Sequence, residues 1–211
     1  MGKSKFNLDE HLPLMAIIRG VKPQDAVRVT QILIDEGFTM IEVPLNSPDA
    51  LVSIASLVEK FGPHYLIGAG TVTTLEKAEA VIETGANLIV TPNYNEEVVK
   101  LSTAANCVTF PGVVTPTEAF AALASGATGL KLFPISQVGI DGFKALKSVL
   151  PPETLCFPVG GINPTEESMR PLIKIGAQGF GLGSSLYTPD LSDDEIRQRA
   201  KKFVAEFKKC K

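Results

Sequence analysis

The sequence predicts an α/β chain folded as a single (β/α)8 barrel, the TIM-barrel class, over residues 1–211. Three observations carry that expectation. Eight short apolar runs rich in β-branched residues recur at regular intervals. Helical stretches fill the gaps between them, and no shift in composition marks a second domain. The rival is an open doubly wound sheet, which usually carries G-x-G-x-x-G in its first turn; "GAGTVT" and "GFGLGS" both miss that pattern.

In chain order the runs are "LMAIIRG", "MIEVPLN", "LIGAGTV", "LIVTPN", "CVTFPGV", "GLKLFPI", "LCFPVGG" and "GFGLGSS". Each is too short for a core helix and lacks the alternation of a half-exposed strand. Each therefore suits a parallel strand buried on both faces. Helical "PQDAVRVTQILIDEG" follows the first run and "TLEKAEAVIETG" follows the third. Pro23, Pro48, Pro116 and Pro164 sit near helix starts, where a missing N–H is tolerated. "DEGF", "ETGAN", "ASGAT" and "KIGAQ" each put glycine after a helical stretch and just before a strand, the pattern of a helix-ending turn.

Composition narrows the partners. Hydrophobic residues make up 45% of the chain, enough for a substantial core, and the net charge of −3 comes from interspersed acids and bases. Neither nucleic acid nor a membrane surface is expected as partner. Cys107, Cys156 and Cys210 are odd in number, far apart and in no metal-ligand spacing, which reads as free thiols in a reducing compartment. The start, "MGKSKFNLDEHLPLMAIIRG", has two lysines, then acids, then an apolar run too short for a secretory signal. Phe6 stands where a myristoylation signal needs Ser or Thr. No stretch reaches transmembrane length, and a cytoplasmic protein is expected.

A barrel of this class keeps its chemistry at the C-terminal ends of its strands. Those ends hold Arg19, Glu42, Thr71, Lys131, the pair Gly160 and Gly161, and the pair Gly183 and Ser184. Glu42 lies between Ile41 and Val43, and Lys131 between Leu130 and Leu132. Side-chain alternation lets the apolar neighbours face the helices while both charges face the interior. One reading is a buried structural ion pair, a weak contributor to stability. The other is chemistry: desolvation lowers a lysine pKa, and a neutral amine attacks carbonyl carbon. The position of both charges at the active face favours chemistry.

The glycine pairs serve as turn formers or, on adjacent strands, as a phosphate site of backbone N–H groups. "GSSLYTPD" is expected to start a short helix with Ser184 as its capping hydroxyl. Arg19 reads either as a rim salt bridge or as an anion binder. His11 precedes the first run and His64 lies in the loop into the third, while Glu42 is the only carboxylate at the active ends. Neither a metal site nor a cofactor is expected, and no Ser–His–Asp or Cys–His set can be assembled there. A lysine imine is the remaining electron sink.

"IEVPLNSP", "IGAGTV", "LIVTPN", "LKLFP", "PVGGI" and "GLGS", in this order and spacing, resemble the pyruvate-dependent class I aldolases of the KDPG/KHG family, which act on 2-keto-3-deoxy-6-phospho sugar acids. The resemblance runs over essentially the whole chain. It implies a compact barrel, a homotrimer, and cleavage of a phosphorylated keto-sugar acid to pyruvate and glyceraldehyde 3-phosphate. It makes Lys131 the Schiff-base lysine and Glu42 the general acid/base. Thr71 is implied near the pyruvyl carboxylate, and Pro92 and Phe133 on the cavity wall. Gly160, Gly161, Gly183 and Ser184 are implied to bind phosphate.

Family members acting on the gluconate substrate carry arginine where this chain has Asn46 and threonine where it has Val159. "EVPLNSP" and "VGGI" instead resemble the branch acting on 2-dehydro-3-deoxy-6-phosphogalactonate, which leaves Arg19 as the substrate's cation. The gluconate and 4-hydroxy-2-oxoglutarate activities remain alternatives within the family. Outside it stand a metal-free phosphosugar isomerase or epimerase, which makes no imine, and a non-catalytic phospho-ligand binder, which has no need to bury Lys131.

Overall fold

The computed structural model describes residue 7 and residues 10–211; Lys3, Lys5 and Phe6 of the targeting argument lie outside the described residues. Strand and helix alternate as β1 (Leu14–Ile17), α1 (Pro23–Asp35), β2 (Met40–Pro44), α2 (Ala50–Phe61), β3 (Leu66–Gly70), α3 (Leu75–Glu83), β4 (Leu88–Val90) and α4 (Glu96–Ala104). They continue as β5 (Val108–Phe110), β6 (Gly112–Val113), α5 (Pro116–Ala124), β7 (Leu130–Leu132), α6 (Ile135–Val149), β8 (Cys156–Pro158), α7 (Glu166–Ile175), β9 (Phe180–Leu182) and α8 (Asp193–Cys210). No described helix is long and apolar enough to cross a membrane.

The described strands are buried along their length and pair in parallel, as their apolar runs require. They form two sheets. A six-stranded half-barrel runs β5-β4-β3-β2-β1-β9, and a three-stranded sheet runs β6-β7-β8. The division corrects the sequence expectation of one strand through "CVTFPGV". Pro111 has no N–H to donate, so the ladder breaks there and leaves β5 on β4 and β6 on β7. Backbone contacts bridge the gaps: Thr128 and Gly129 N–H donate to the Thr109 carbonyl of β5 at 3.0 and 3.2 Å, Gln178 N–H donates to the Cys156 carbonyl of β8 at 3.1 Å, and Val159 forms an isolated parallel bridge with Gly181.

Side-chain parity sorts the core into two clusters. Leu14, Ala16, Ile41, Val43, Leu130, Leu132 and their counterparts pack outward against the helices. The alternate positions, Met15, Met40, Leu66, Leu88, Val90, Val108, Phe110 and Phe157, make a separate inner cluster built almost wholly from strand residues. Glu42 is two residues after Met40 and so shares its parity. Lys131 is opposite Phe157 in register and shares the inward direction. Phe110 and Phe157 stack tilted within this inner cluster, with ring centroids 4.7 Å apart.

Helix boundaries follow the sequence punctuation. Pro23 and Pro116 occupy first-turn positions, and Pro48 and Pro164 immediately precede the N-cap residues Asp49 and Thr165. Thr115 with Glu118 and Ser192 with Glu195 form capping boxes, each satisfying two otherwise orphaned donors. The four glycines expected to end helices, Gly37, Gly85, Gly126 and Gly176, all have positive φ.

Candidate active site

Leu130 and Leu132 anchor β7 against the helices, and Lys131 is thereby turned inward. It is 6% exposed, and its Nζ lies 4.8 Å from the centroid of the Phe133 ring. Burial pushes its pKa down; the Glu42 charge opposes that shift and the Arg19 charge adds to it. Among the described residues no carboxylate comes within salt-bridge distance of Lys131. The amine is therefore a buried base without a closed ion pair.

Glu42 enters from β2 and is 1% exposed, with no hydrogen-bond partner for Oε2. Burial raises its pKa to about 7, against the opposing pull of Lys131 and Arg19. The carboxyl lies across the neighbouring strand: a Cβ on Gly70 would come within 1.6 Å of Oε2. Only glycine leaves that space, so Gly70 is part of the site. The sequence signal was a glycine inside an otherwise buried strand, "LIGAG".

A cavity of about 820 Å³ opens at the C-terminal ends of the strands. Lys131, Phe133 and Arg19 line one side, and Val159, Gly160 and Gly161 another. Gly183 and Ser184 complete the ring. Glu42 is not on this wall, although its charge acts on Lys131, which is. Thr71 and Pro92 are half-buried and also off the wall. The chain leaves β3 through Thr71 at φ 61, an unusual conformation for a β-branched residue. Pro92 packs against β6, its carbonyl 2.3 Å from where a Gly112 Cβ would stand. Tyr187, Thr188 and Asn163 line the cavity and were missed by the sequence reading. They lie beyond the strand ends, where no periodicity points inward.

Gly160 and Gly161 have φ of 101° and 77°, consecutive left-handed residues that side chains rarely adopt. No atom lies within 4 Å of the Cβ positions of Gly161 or Gly183, so the backbone there faces open space. Ser185 Oγ donates to the Ile162 carbonyl at 2.7 Å and ties the two loops together. The helix expected from "GSSLYTPD" is only a single turn, closed by Leu186 and Tyr187 N–H groups on the Gly183 carbonyl at 2.8 and 3.0 Å. Thr188-Pro189 stops it, because the residue before proline is driven out of the helical region. Ser184 thus starts a turn and caps no helix; its carbonyl accepts from Arg199 Nη1 at 3.3 Å.

Taken together the arrangement holds a depressed amine, a carboxyl poised near neutrality, one surface cation and an open backbone cradle. That set can form an imine with a keto acid and move protons around it while holding an anionic tail. Among the described residues no group of three His, Cys, Asp or Glu side chains could hold a metal ion.

Comparison with known proteins agrees in kind. A family model described as KDPG and KHG aldolase matches residues 7–201. A probable 2-dehydro-3-deoxy-6-phosphogalactonate aldolase from Rhizobium meliloti (strain 1021) is 47% identical over 188 residues, 89% of this chain and 88% of that protein. A solved structure described as native KDPGal superposes with a TM-score of 0.91 at 43% identity, covering 94% of this chain and 96% of the other. A KDPG aldolase from Legionella pneumophila, with pyruvate captured as a covalent carbinolamine intermediate, superposes at 0.77 with 27% identity over 92% of this chain and 91% of the other.

Proposed function

The chain belongs to the KDPG and KHG aldolase family, and on that premise we propose that it cleaves 2-dehydro-3-deoxy-6-phospho-D-galactonate to pyruvate and D-glyceraldehyde 3-phosphate. The observation that carries the proposal is Lys131: a buried lysine of lowered pKa, with no salt bridge among the described residues, on the wall of a large cavity. The substrate class is that of the galactonate-named relatives, and the family resemblance implies that gluconate-acting members carry arginine and threonine where this chain has Asn46 and Val159.

In this mechanism the neutral Lys131 amine attacks the C2 ketone to give a carbinolamine, which loses water to form an iminium ion. Glu42 donates the proton that leaves with the hydroxyl. It then takes the proton of the C4 hydroxyl as the C3–C4 bond breaks, and the bonding electrons pass into the iminium. Glyceraldehyde 3-phosphate departs. The enamine is protonated at C3, and hydrolysis releases pyruvate and the free amine. Arg19 holds the carboxylate end, Phe133 and Val159 shape the channel, and Gly160, Gly161, Gly183 and Ser184 bind phosphate.

The same proposal includes one (β/α)8 barrel spanning 1–211, in which the two sheets are arcs of one ring. Its support is the unbroken chain between β5 and β6 and the Val159–Gly181 bridge. It also includes a homotrimer, supported by exposed Leu51, Val52 and Phe120, and a cytoplasmic location, supported by three free, buried cysteines.

The test is intact mass after incubation with pyruvate and borohydride, followed by peptide mapping. One pyruvate-derived adduct on Lys131 is expected. Lys131→Ala should stay folded and lose both adduct and turnover. Lys131→Arg should not restore them, because guanidinium stays protonated. An adduct on another lysine, or turnover by Lys131→Ala, overturns the mechanism.

A further inference from the structure

Arg19 lies just past the end of β1, beyond the ladder that fixes the strand, and is itself exposed. Among the described residues no carboxylate closes a salt bridge with it. An arginine in such a place ordinarily samples many rotamers and must be ordered by whatever it binds. Here it is already held. Its Nη1 donates to Asn46 Oδ1, in the turn that follows β2. One residue on, Gly20 N–H donates to Ser47 Oγ at 2.9 Å. Ser47 is 8% exposed, and its own N–H donates to the Pro44 carbonyl at 2.8 Å, so the holding turn is itself fixed to the end of β2. Pro189 closes the opposite side of Gly20, where a Cβ would meet its Cγ at 2.8 Å.

We infer that the turn after β2 is the positioning element for Arg19: Asn46 aims the guanidinium and Ser47 fixes the backbone beneath it, giving the cavity a preset cation for the carboxylate of its substrate. The inference rests on the aldolase reading above. The amide is chemically suited to the task. It occupies one of the five guanidinium N–H donors and cancels none of the charge, whereas an aspartate in the same place would neutralise it. The retained charge also reaches the reacting groups, since it favours ionised Glu42 and disfavours protonated Lys131. Asn46 is thus a positioning residue that acts through Arg19.

The experiment is a double-mutant cycle read as the pyruvate concentration that half-saturates borohydride trapping on Lys131. Asn46→Ala should raise that concentration about 2- to 10-fold, the cost of ordering one long side chain, and leave the maximal adduct unchanged. In an Arg19→Ala background the same substitution should change nothing. Asn46→Asp keeps the acceptor but cancels the charge, so it should raise half-saturation at least as far as Asn46→Ala. Unchanged half-saturation in Asn46→Ala, or losses that simply add in the double variant, overturns the positioning role while the adduct upholds the aldolase reading. Absence of any adduct in the wild type overturns both.

Discussion

Glu42 and Lys131 owe their unusual ionisation to one cause, removal from water, acting on charges of opposite sign. Burial raises the carboxyl to about 7 and lowers the amine, so each is held toward its neutral form. The sign for activity follows. The mechanism uses Glu42 first as acid and then as base, so dehydration slows as pH rises through about 7 and cleavage slows as pH falls through it. Turnover should therefore pass through a maximum near pH 7, with a Glu42-dependent inflection on its flanks. Glu42→Gln should lack that inflection and turn over about 10²–10⁴-fold more slowly. A stopped-flow pH profile of both proteins checks this, and an inflection that survives in Glu42→Gln reassigns it.

Val159 carries the selectivity prediction at the same scale. It is 5% exposed, lines the cavity and packs one methyl where a Gly181 Cβ would stand. Its side chain offers no hydrogen bond, whereas threonine would offer one to a C4 hydroxyl of gluconate configuration. Such a contact is worth about 1–3 kcal/mol, roughly 10–200-fold in relative kcat/KM. The wild type should prefer the galactonate epimer, and Val159→Thr should move the ratio toward gluconate. Measuring kcat/KM for both epimers in both proteins decides it.

Between elements, two glycines of β3 show how neighbouring strands divide structure from chemistry. A Cβ on Gly68 would meet the Leu88 carbonyl of β4 at 1.7 Å, a backbone atom that cannot yield without breaking the ladder. A Cβ on Gly70 would meet the Glu42 carboxyl, a side chain that can swing away. Gly70→Ala should therefore remain folded, with a modest overpacking loss of about 1–3 kcal/mol, yet turn over about 10²-fold more slowly because the carboxyl is displaced. Gly68→Ala should lose more stability. Thermal unfolding alongside kcat separates the two, and equal effects on both measures would remove Gly70 from the site.

At the scale of the whole molecule, exposed Val52 on α2 and Phe120 on α5 belong to the proposed contact between copies. Sedimentation should give an assembly of three chains, and the paired variant Val52→Glu, Phe120→Glu should shift it toward the monomer. A wild-type monomer at micromolar concentration would refute the trimer.

What the sequence determined by itself was whatever depends on consecutive residues. Strand parity is a local period of two, so the inward direction of Glu42 and Lys131 was readable from their flanking Ile, Val and Leu. Helix starts at proline and helix ends at Gly37, Gly85, Gly126 and Gly176 are equally local, because they are set by one residue's own φ and N–H. Tertiary structure decided the rest. The single strand expected through Pro111 divided because its two halves found different neighbours. Tyr187 reached the cavity, Gly70 came to lie under the Glu42 carboxyl, and Asn46 met Arg19 from 27 residues away. Each of these rests on a contact between distant segments. Burial, which sets both pKa shifts, is likewise a property of everything packed around a group and of nothing within its own stretch of chain.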